Sequence, residues 1–281
     1  MSELEIIDTI YTSLVANRSK SGIPIHLRTR SVVGTVQDDP FDNWISDEIK
    51  GALKDRVEVF HSGTLTTPDL VIRDKRTGTL VGIEVKTLIQ KANGSDPRGL
   101  TMDYNSSLPC GSAMIKQGKD TLVIPCYYLF ALLDSASRYI VTLIIADGDF
   151  LNFDIDLYKE AKYANYTEYG HGPYAEGSVR HRRMYTYPNP LNSRITELHT
   201  RMVLIAKKVA FDKLKDRSFL SEEIIRVDKH ANEFFYLMKD VTLLPNQKAK
   251  SRPTILDIFK DCKKRQPKER VAAMPNIPIA K

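Results

Sequence analysis

Two apolar, β-branched runs on either side of a polar turn constrain the fold of this chain most strongly. The runs cover residues 70–72 and 80–85, and the turn between them is Asp74-Lys75-Arg76-Thr77-Gly78-Thr79. Short β-branched runs that flank a polar, glycine-containing turn predict a β-hairpin. We therefore expect two neighbouring antiparallel strands in the first third of the chain.

Three charged residues interrupt the predicted hairpin. Asp69 opens the first strand, whereas Glu84 and Lys86 lie within the second. Side chains two positions apart on a strand point to the same face, so Glu84 and Lys86 project together and Val85 projects the other way. With Asp69 on the neighbouring strand, two carboxylates and one ammonium can converge on one spot.

The elements around the hairpin predict a mixed α/β fold with a central mixed β-sheet flanked by helices. Helical periodicity covers residues 3–16 and, after an aspartate and a proline that start a helix, residues 41–54. A short strand is predicted at 57–60. The strongly apolar runs 121–133 and 139–146 predict central strands of the same sheet that are buried on both faces.

The second half of the chain gives weaker patterns. Residues 150–155 predict an edge strand, and residues 158–194 have little periodicity but are rich in tyrosine, arginine and histidine. Two helices are predicted at 194–215 and 221–239, the second with a serine cap and an apolar stripe.

Glu48 lies at an unusual place on the predicted helix 41–54. At about 100° per residue it falls between Phe41 and Trp44, inside the apolar stripe, whereas its neighbour Asp47 faces water. A carboxylate on a buried face is costly unless a cation or hydrogen bonds compensate it. A salt bridge or a position at the edge of the stripe is the alternative to a functional role.

Composition and charge indicate one elaborated domain with a basic tail. The 281 residues are 42% apolar, which is ample for one core spanning residues 1–244. From residue 245 to 281, ten Lys and Arg stand against three Asp and Glu, so this tail carries +7, whereas the rest of the chain is near neutral within the net charge of +6. Such a tail suits polyanion binding or, alternatively, a solvated terminus.

The class of protein is narrowed further by three absences in the sequence pattern. No apolar run is long enough to span a bilayer, and the N-terminal residues lack the layout of a signal peptide. The three cysteines are too few and too scattered for a disulfide framework or a zinc site. We therefore expect a cytoplasmic protein with no membrane partner.

The convergent charges favour a hard, oxygen-preferring divalent ion. Mg²⁺ binds through one or two carboxylates, keeps several waters and shares substrate phosphate oxygens. A lysine beside such a site can hold the attacking water and stabilise charge on a phosphate. Asp69, Glu84 and Lys86 therefore suit metal-assisted hydrolysis of a phosphodiester.

These residues resemble the PD-(D/E)XK nuclease signature. Pro68-Asp69, fourteen intervening residues and then Glu84-Val85-Lys86 match its pattern and spacing, in a hairpin preceded by an acid-bearing helix. The size of the chain and the segments 103–111 and 180–194 resemble type II restriction endonucleases in particular. The core resemblance covers about residues 40–146 and implies a restriction-endonuclease-like core.

The resemblance assigns roles position by position. Asp69 and Glu84 would ligate Mg²⁺ together with the Val85 carbonyl, and Lys86 would orient or activate the water. Glu48 would be an auxiliary acid that binds a second metal or holds Lys86. The implied activity is cleavage of double-stranded DNA to a 5′-phosphate and a 3′-hydroxyl, by a homodimer acting on a symmetric sequence.

DNA reading requires donors and acceptors on loops, which we expect within residues 158–240 and after the hairpin. Arginine pairs bidentately with guanine and asparagine with adenine, whereas lysine and serine more often hold phosphate. The leading candidates are Arg180, His181, Arg182, Arg183, Asn189, Asn192 and Arg194, followed by Asn105, Ser106, Ser107 and Lys116.

Three alternatives stay open at the level of sequence. The same residues occur in structure-directed repair or recombination nucleases, and a DNA-binding protein can keep such a fold without catalysis. The third alternative is an ordinary ion pair on a solvent-facing strand. Glu84 argues against this last alternative because it lies in an otherwise apolar strand.

Overall fold

The fold is taken from a computed structural model of the chain. It describes residues 1–28, 32–33, 36–37, 39–62, 66–92, 100–104, 111–151, 183–187, 201–214, 221–227, 230–242 and 276–277. Within these ranges, no helix combines the length and the apolar character needed to cross a membrane.

Two capped helices occupy the positions that the sequence predicts. Helix α1 spans Glu3–Ala16, and Ser2 and Glu5 form a reciprocal capping box at its start. Helix α2 spans Pro40–Leu53, and the Asp39 carboxylate accepts a hydrogen bond from the Phe41 amide at 2.9 Å. Both helices bury one apolar stripe, and they pack against each other.

A three-stranded antiparallel meander follows α2. A single 3₁₀ turn at Lys54–Arg56 leads into strand β4 at Val57–His61. Strands β5 (Leu70–Asp74) and β6 (Leu80–Ile89) then form the predicted hairpin. Among the described strands β4 lies at one end of the sheet, so β5 is paired on both sides.

The meander continues into a large mixed sheet. Its further strands are β8 (Ser112–Gln117), β9 (Asp120–Leu133), β10 (Tyr139–Asp147), β12 (Met202–Lys207), β13 (Ser221–Val227) and β14 (Glu233–Asp240). The path of the sheet runs β13-β14-β12-β10-β9-β6-β5-β4, with β9 parallel to β6, β10 antiparallel to β9 and β12 parallel to β10. The prediction of a central mixed sheet flanked by helices is therefore confirmed.

Short strands complete the described architecture. Strand β1 (Ile23–Pro24) pairs with β10, and β15 (Asn276–Ile277) pairs with β8, which itself pairs with β9. Strands β2 (Val32–Val33) and β3 (Val36–Gln37) form a separate two-stranded sheet. Another ribbon joins β7 (Leu100–Tyr104) to β11 (Arg183–Tyr187).

The two helices predicted in the second half of the chain are wrong. Their described residues form β12, β13 and β14, with one helical turn at Lys208–Phe211 between β12 and β13. The continuous apolar run 202–206 lies in a strand buried on both faces, and such a run has no period that separates strand from helix. Phe150 and Leu151, predicted to begin an edge strand, are helical instead.

The sheet separates two apolar clusters. Strand residues such as Val71, Tyr128 and Phe130 belong to one cluster, which contains no residue of α1 or α2. The other cluster joins the opposite face of the sheet, at residues such as Ile83 and Leu129, to the stripes of α1 and α2. Each strand therefore presents alternate side chains to two chemically similar but separate cores.

Buried ion pairs connect distant parts of the chain at two places in the fold. Arg201, just before β12, forms a salt bridge with Asp240 at the end of β14, and both residues are buried. In the hairpin turn, the Met1 ammonium contacts the fully buried Asp74 carboxylate at 2.9 Å. Burial would raise the pKa of Asp74, but this ammonium and the amides of Thr77 and Arg76 together lower it below its usual value.

The carboxyl group of Asp147 at the end of β10 should make stability depend on pH. Burial raises the pKa of Asp147 to about 6, although the Lys207 ammonium and the Asp149 amide oppose the shift. The folded state then holds a proton that the unfolded state releases near pH 4, so the free energy of unfolding falls as pH rises from about 4 to about 6.

We expect Asp147→Asn to remove this loss. Urea unfolding above pH 6 should give a free energy of unfolding higher by up to about 3 kcal/mol, since one pKa unit corresponds to about 1.4 kcal/mol. The gain should vanish near pH 4. The exposed Asp55→Asn serves as the control and should leave the pH profile unchanged; a gain for Asp147→Asn that is independent of pH would contradict the prediction.

Candidate active site

The candidate site lies where the ladder between β5 and β6 ends. Leu70 pairs with Ile83, and this is the last pair of the hairpin ladder in the direction of Asp69 and Glu84. Strand β6 continues beyond this point to Ile89, supported on its other side by the parallel strand β9. Asp69 and Glu84 therefore flank the place where the two strands part.

Asp69 caps the open end of the ladder. Its Oδ2 atom accepts a hydrogen bond from the Val85 amide at 2.7 Å, and its own carbonyl accepts one from the Ser62 amide at 2.9 Å. The carboxylate thus replaces the backbone acceptor that β5 no longer offers to β6. This bond fixes the Asp69 carboxylate at the edge of β6.

Glu84 and Lys86 point to the same face of β6, as the alternation of the strand predicts. The Lys86 ammonium contacts Glu84 Oε1, and the two side chains are 14% and 1% exposed. Their neighbours in the parallel ladder are Tyr128 and Phe130, which belong to the cluster without α1 and α2. The ion pair of the third alternative therefore exists, but it is largely buried. The expectation that it lies on a solvent-facing strand is wrong.

The ion pair has an energetic consequence. A buried carboxylate is tolerated when a cation and hydrogen bonds compensate it, and removing one partner of a buried pair costs about 3–5 kcal/mol. Lys86 therefore stabilises the buried position of Glu84. Any variant that removes only the lysine charge must be checked for folding before its activity is interpreted.

Pro68 is seated on Gly82 in the neighbouring strand. A Cβ atom on Gly82 would lie 2.8 Å from Pro68 Cγ and 3.2 Å from Pro68 Cβ, closer than side chains tolerate. Gly82 therefore leaves the space that the proline ring needs, and the ring leads directly into Asp69. A glycine inside a β-branched strand is the sequence signal for such a close approach, and this role was missed at the level of sequence.

The oxygen atoms at the ladder end suit a hard divalent ion as ligands. Asp69 and Glu84 supply carboxylate oxygens. The Val85 carbonyl points to the same edge of β6 as its amide, which donates to Asp69. Two carboxylates and one carbonyl fit the preference of Mg²⁺, with water and phosphate completing the shell. The described residues contain no cluster of three or more His, Cys, Asp or Glu side chains with metal-binding geometry.

Glu48 is not joined to these residues by any described contact. It is half-buried on α2, and burial raises its pKa, with a further contribution from Asp47. The apolar stripe of α2 packs on the face of the sheet opposite to Glu84 and Lys86. No hydrogen bond or ion pair connects the Glu48 side chain with the described part of the chain, so its auxiliary role stays a prediction.

Helix α2 nevertheless reaches the end of the sheet where Asp69 lies. The Ser46 hydroxyl and His61 Nε2 are 2.9 Å apart, and His61 at the end of β4 pairs with Leu70. This link positions α2 against the meander next to the candidate site.

Most of the predicted DNA-reading residues lie outside the described residues. These are Arg180, His181, Arg182, Asn189, Asn192, Arg194, Asn105, Ser106 and Ser107. Lys116 is exposed on β8, and Arg183 opens β11. In the ribbon, Arg183 is opposite Tyr104, so the chain that follows Tyr104 and the chain that precedes Arg183 join the ribbon at the same end. Asn189, Asn192 and Arg194 follow the other end of β11 in sequence.

Comparison with known proteins finds no match for this chain. A scan against protein-family models finds no match, and neither the search of curated proteins nor that of solved structures finds one. The function is therefore argued from the residues and contacts described above.

We expect Gly82→Ala to loosen the ladder end. The new methyl group must push Pro68 away, and small-to-large changes in packed regions cost about 1–3 kcal/mol. Moving Pro68 also moves Asp69, so the Val85 amide should exchange its hydrogen faster. Urea unfolding and amide hydrogen exchange measure the two effects.

Gly51→Ala is the matched control for this substitution. A Cβ atom on Gly51 meets nothing within 4 Å, and the residue lies on the exposed side of α2. Alanine there should stabilise the protein by about 0.5–1 kcal/mol. If Gly82→Ala behaves like Gly51→Ala, the seating of Pro68 on Gly82 does not position Asp69.

Proposed function

We propose that this chain is a Mg²⁺-dependent endonuclease that cleaves double-stranded DNA at a specific sequence, as type II restriction endonucleases do. The observation that carries the proposal is the ladder end, where Asp69 bonds the Val85 amide and Lys86 pairs with Glu84. The resemblance to the PD-(D/E)XK signature supports the same reading, because its residues occur in a hairpin of a mixed sheet.

In the proposed reaction, Asp69, Glu84 and the Val85 carbonyl hold the metal ion. Bound Mg²⁺ supplies a Lewis acid that neutralises charge on the scissile phosphate. The Asp69 carboxylate is kept in place by the Val85 amide, and pairing of β6 with β9, where Val85 is opposite Leu129, supports the backbone of the same residue. The Asp69 carboxylate and the Val85 carbonyl would thus be in place before the metal ion binds.

Lys86 is proposed to contact the attacking water and the phosphate. Its ammonium lies beside Glu84 and keeps partial exposure, so it can approach a phosphate that reaches the ladder end. An ammonium at this position stabilises the negative charge that develops on the phosphate oxygens. The apolar neighbours Tyr128 and Phe130 lower the local dielectric and strengthen that interaction.

DNA reading is proposed for the segments beside the β7–β11 ribbon. The strand pairing brings together, at one end, the chain after Tyr104 and the chain before Arg183. Six of the predicted reading residues come from these two segments: Asn105, Ser106, Ser107, Arg180, His181 and Arg182. We propose that this end of the ribbon enters a groove of the DNA, while the basic tail and Lys116 contact phosphates.

Plasmid digestion tests the proposed activity. Wild-type protein with Mg²⁺ should convert supercoiled plasmid into a discrete set of fragments, whereas Glu84→Gln and Asp69→Asn should cut at least about 100-fold more slowly. Sequencing of the fragment ends should reveal one short symmetric sequence with 5′-phosphates. The exposed Asp47→Asn is the acid control and should cut like the wild type.

Lys86 needs a design that separates chemistry from folding. Lys86→Met leaves the buried Glu84 charge without its ammonium. Both the midpoint temperature of thermal unfolding and the cleavage rate should therefore decrease. Lys86→Met combined with Glu84→Gln should regain thermal stability and stay inactive. Lys75→Met in the exposed hairpin turn is the lysine control. Cleavage by the double variant would refute the assigned site.

The remaining alternatives predict different outcomes when cleavage and DNA binding are measured together. A repair or recombination nuclease would cut branched or nicked DNA in preference to any sequence. A non-catalytic DNA-binding protein would retard DNA without cutting it, and the Glu84→Gln variant would bind as the wild type does.

A further inference from the structure

Strand β13 forms one end of the large sheet. It pairs with β14 through seven register positions, from Ser221 opposite Lys239 to Val227 opposite Glu233. Its other edge has no partner strand within the part of the chain that the structure describes. An edge strand presents a row of backbone donors and acceptors that can pair with another chain.

Exposed apolar side chains gather beside this edge. Of the seven large apolar residues that are exposed in the described chain, four lie here, at 42–63% exposure: Val209, Ile225, Phe234 and Phe235. Val209, Phe234 and Phe235 line one cavity of about 420 Å³. Ile225 is paired with Phe235 across the two strands and extends the apolar surface to the edge. Clustered exposed apolar surface of this kind marks an interaction site.

The charges of β13 are self-complementary in one arrangement. If two copies of β13 pair antiparallel about Ile224, Glu222 of each chain lies opposite Arg226 of the other. A parallel in-register pairing would instead place Glu222 opposite Glu222 of the other chain, and Glu223 opposite Glu223. Opposite charges directly across a strand pair are stabilising, and like charges are destabilising.

Arg226 is anchored on Phe150 and shares one face of β13 with Glu222. Its guanidinium lies 4.2 Å from the centre of the Phe150 ring, and Nη2 donates to the Phe150 carbonyl at 3.2 Å. A guanidinium carries five N–H donors in a fixed fork, so the same group can also serve a carboxylate on a second chain. Ile225 would lie diagonally across from its copy, within reach of a long side chain.

We propose that two copies of this chain associate through antiparallel pairing of β13 about Ile224, with the Val209, Ile225 and Phe235 surface packed at the junction. The pairing joins two large sheets into one across a two-fold axis, which is the symmetry of most homodimers. A seven-residue strand is a small interface, so the dimer should form at roughly micromolar concentrations.

Sedimentation of the full chain tests this surface independently of any nuclease activity. Wild-type protein from about 1 to about 100 µM should pass from one to two chain masses. Ile225→Lys places a charge on the exposed face and should weaken association at least about tenfold. Val123→Lys changes an equally exposed apolar strand residue on β9, and should dimerise as the wild type does.

A charge exchange tests the register. Glu222→Arg should weaken association by placing two arginines opposite each other, and Glu222→Arg combined with Arg226→Glu should restore it to within about threefold. Circular dichroism checks that the variants are folded. A monomer at all concentrations, or a dimer that is indifferent to Ile225→Lys, overturns the proposed surface. Failure of the folded exchange variant to recover overturns the pairing about Ile224.

Discussion

The end of the β5–β6 ladder is the constraint on which the candidate site depends. Beyond Leu70 and Ile83 the two strands part, and the Val85 amide would otherwise lack an acceptor inside the sheet. Asp69 provides this acceptor, so the requirement that buried backbone donors be satisfied also places the carboxylate. Pro68, seated on Gly82, fixes the approach of the chain to that point. The Asp69 carboxylate that satisfies the Val85 amide is therefore also the group that is proposed to bind the metal ion.

The two faces of the sheet differ in the side chains that β6 presents to them. On the face covered by α1 and α2, Ile83 and Val85 of β6 pack into the apolar cluster. The opposite face carries Glu84 and Lys86 beside aromatic side chains. Because the faces alternate along one strand, a charged pair on one side does not disturb the helix packing on the other. This separation also explains why Glu48, which lies on α2, has no described contact with the pair.

Local patterns predicted the first half of the chain well because short-range signals agree there with tertiary contacts. Capping residues define α1 and α2, and the polar turn defines the hairpin. In the second half, the apolar residues of β12 form a run that has no period, and adjacent pairs such as Ile224–Ile225 and Phe234–Phe235 fit a helical stripe. Pairing with β10 and β14 makes these segments strands, and that pairing links residues far apart in the chain.

By itself, the sequence determined the hairpin, its charged residues and the shared face of Glu84 and Lys86, because a strand has a period of two whatever surrounds it. Tertiary structure decided the rest. It buried Glu84 against Tyr128 and Phe130, gave the Val85 amide to Asp69 and placed α2 on the other face. These outcomes depend on which strands become neighbours, and neighbour choice is set by the burial of the whole sheet rather than by any local pattern.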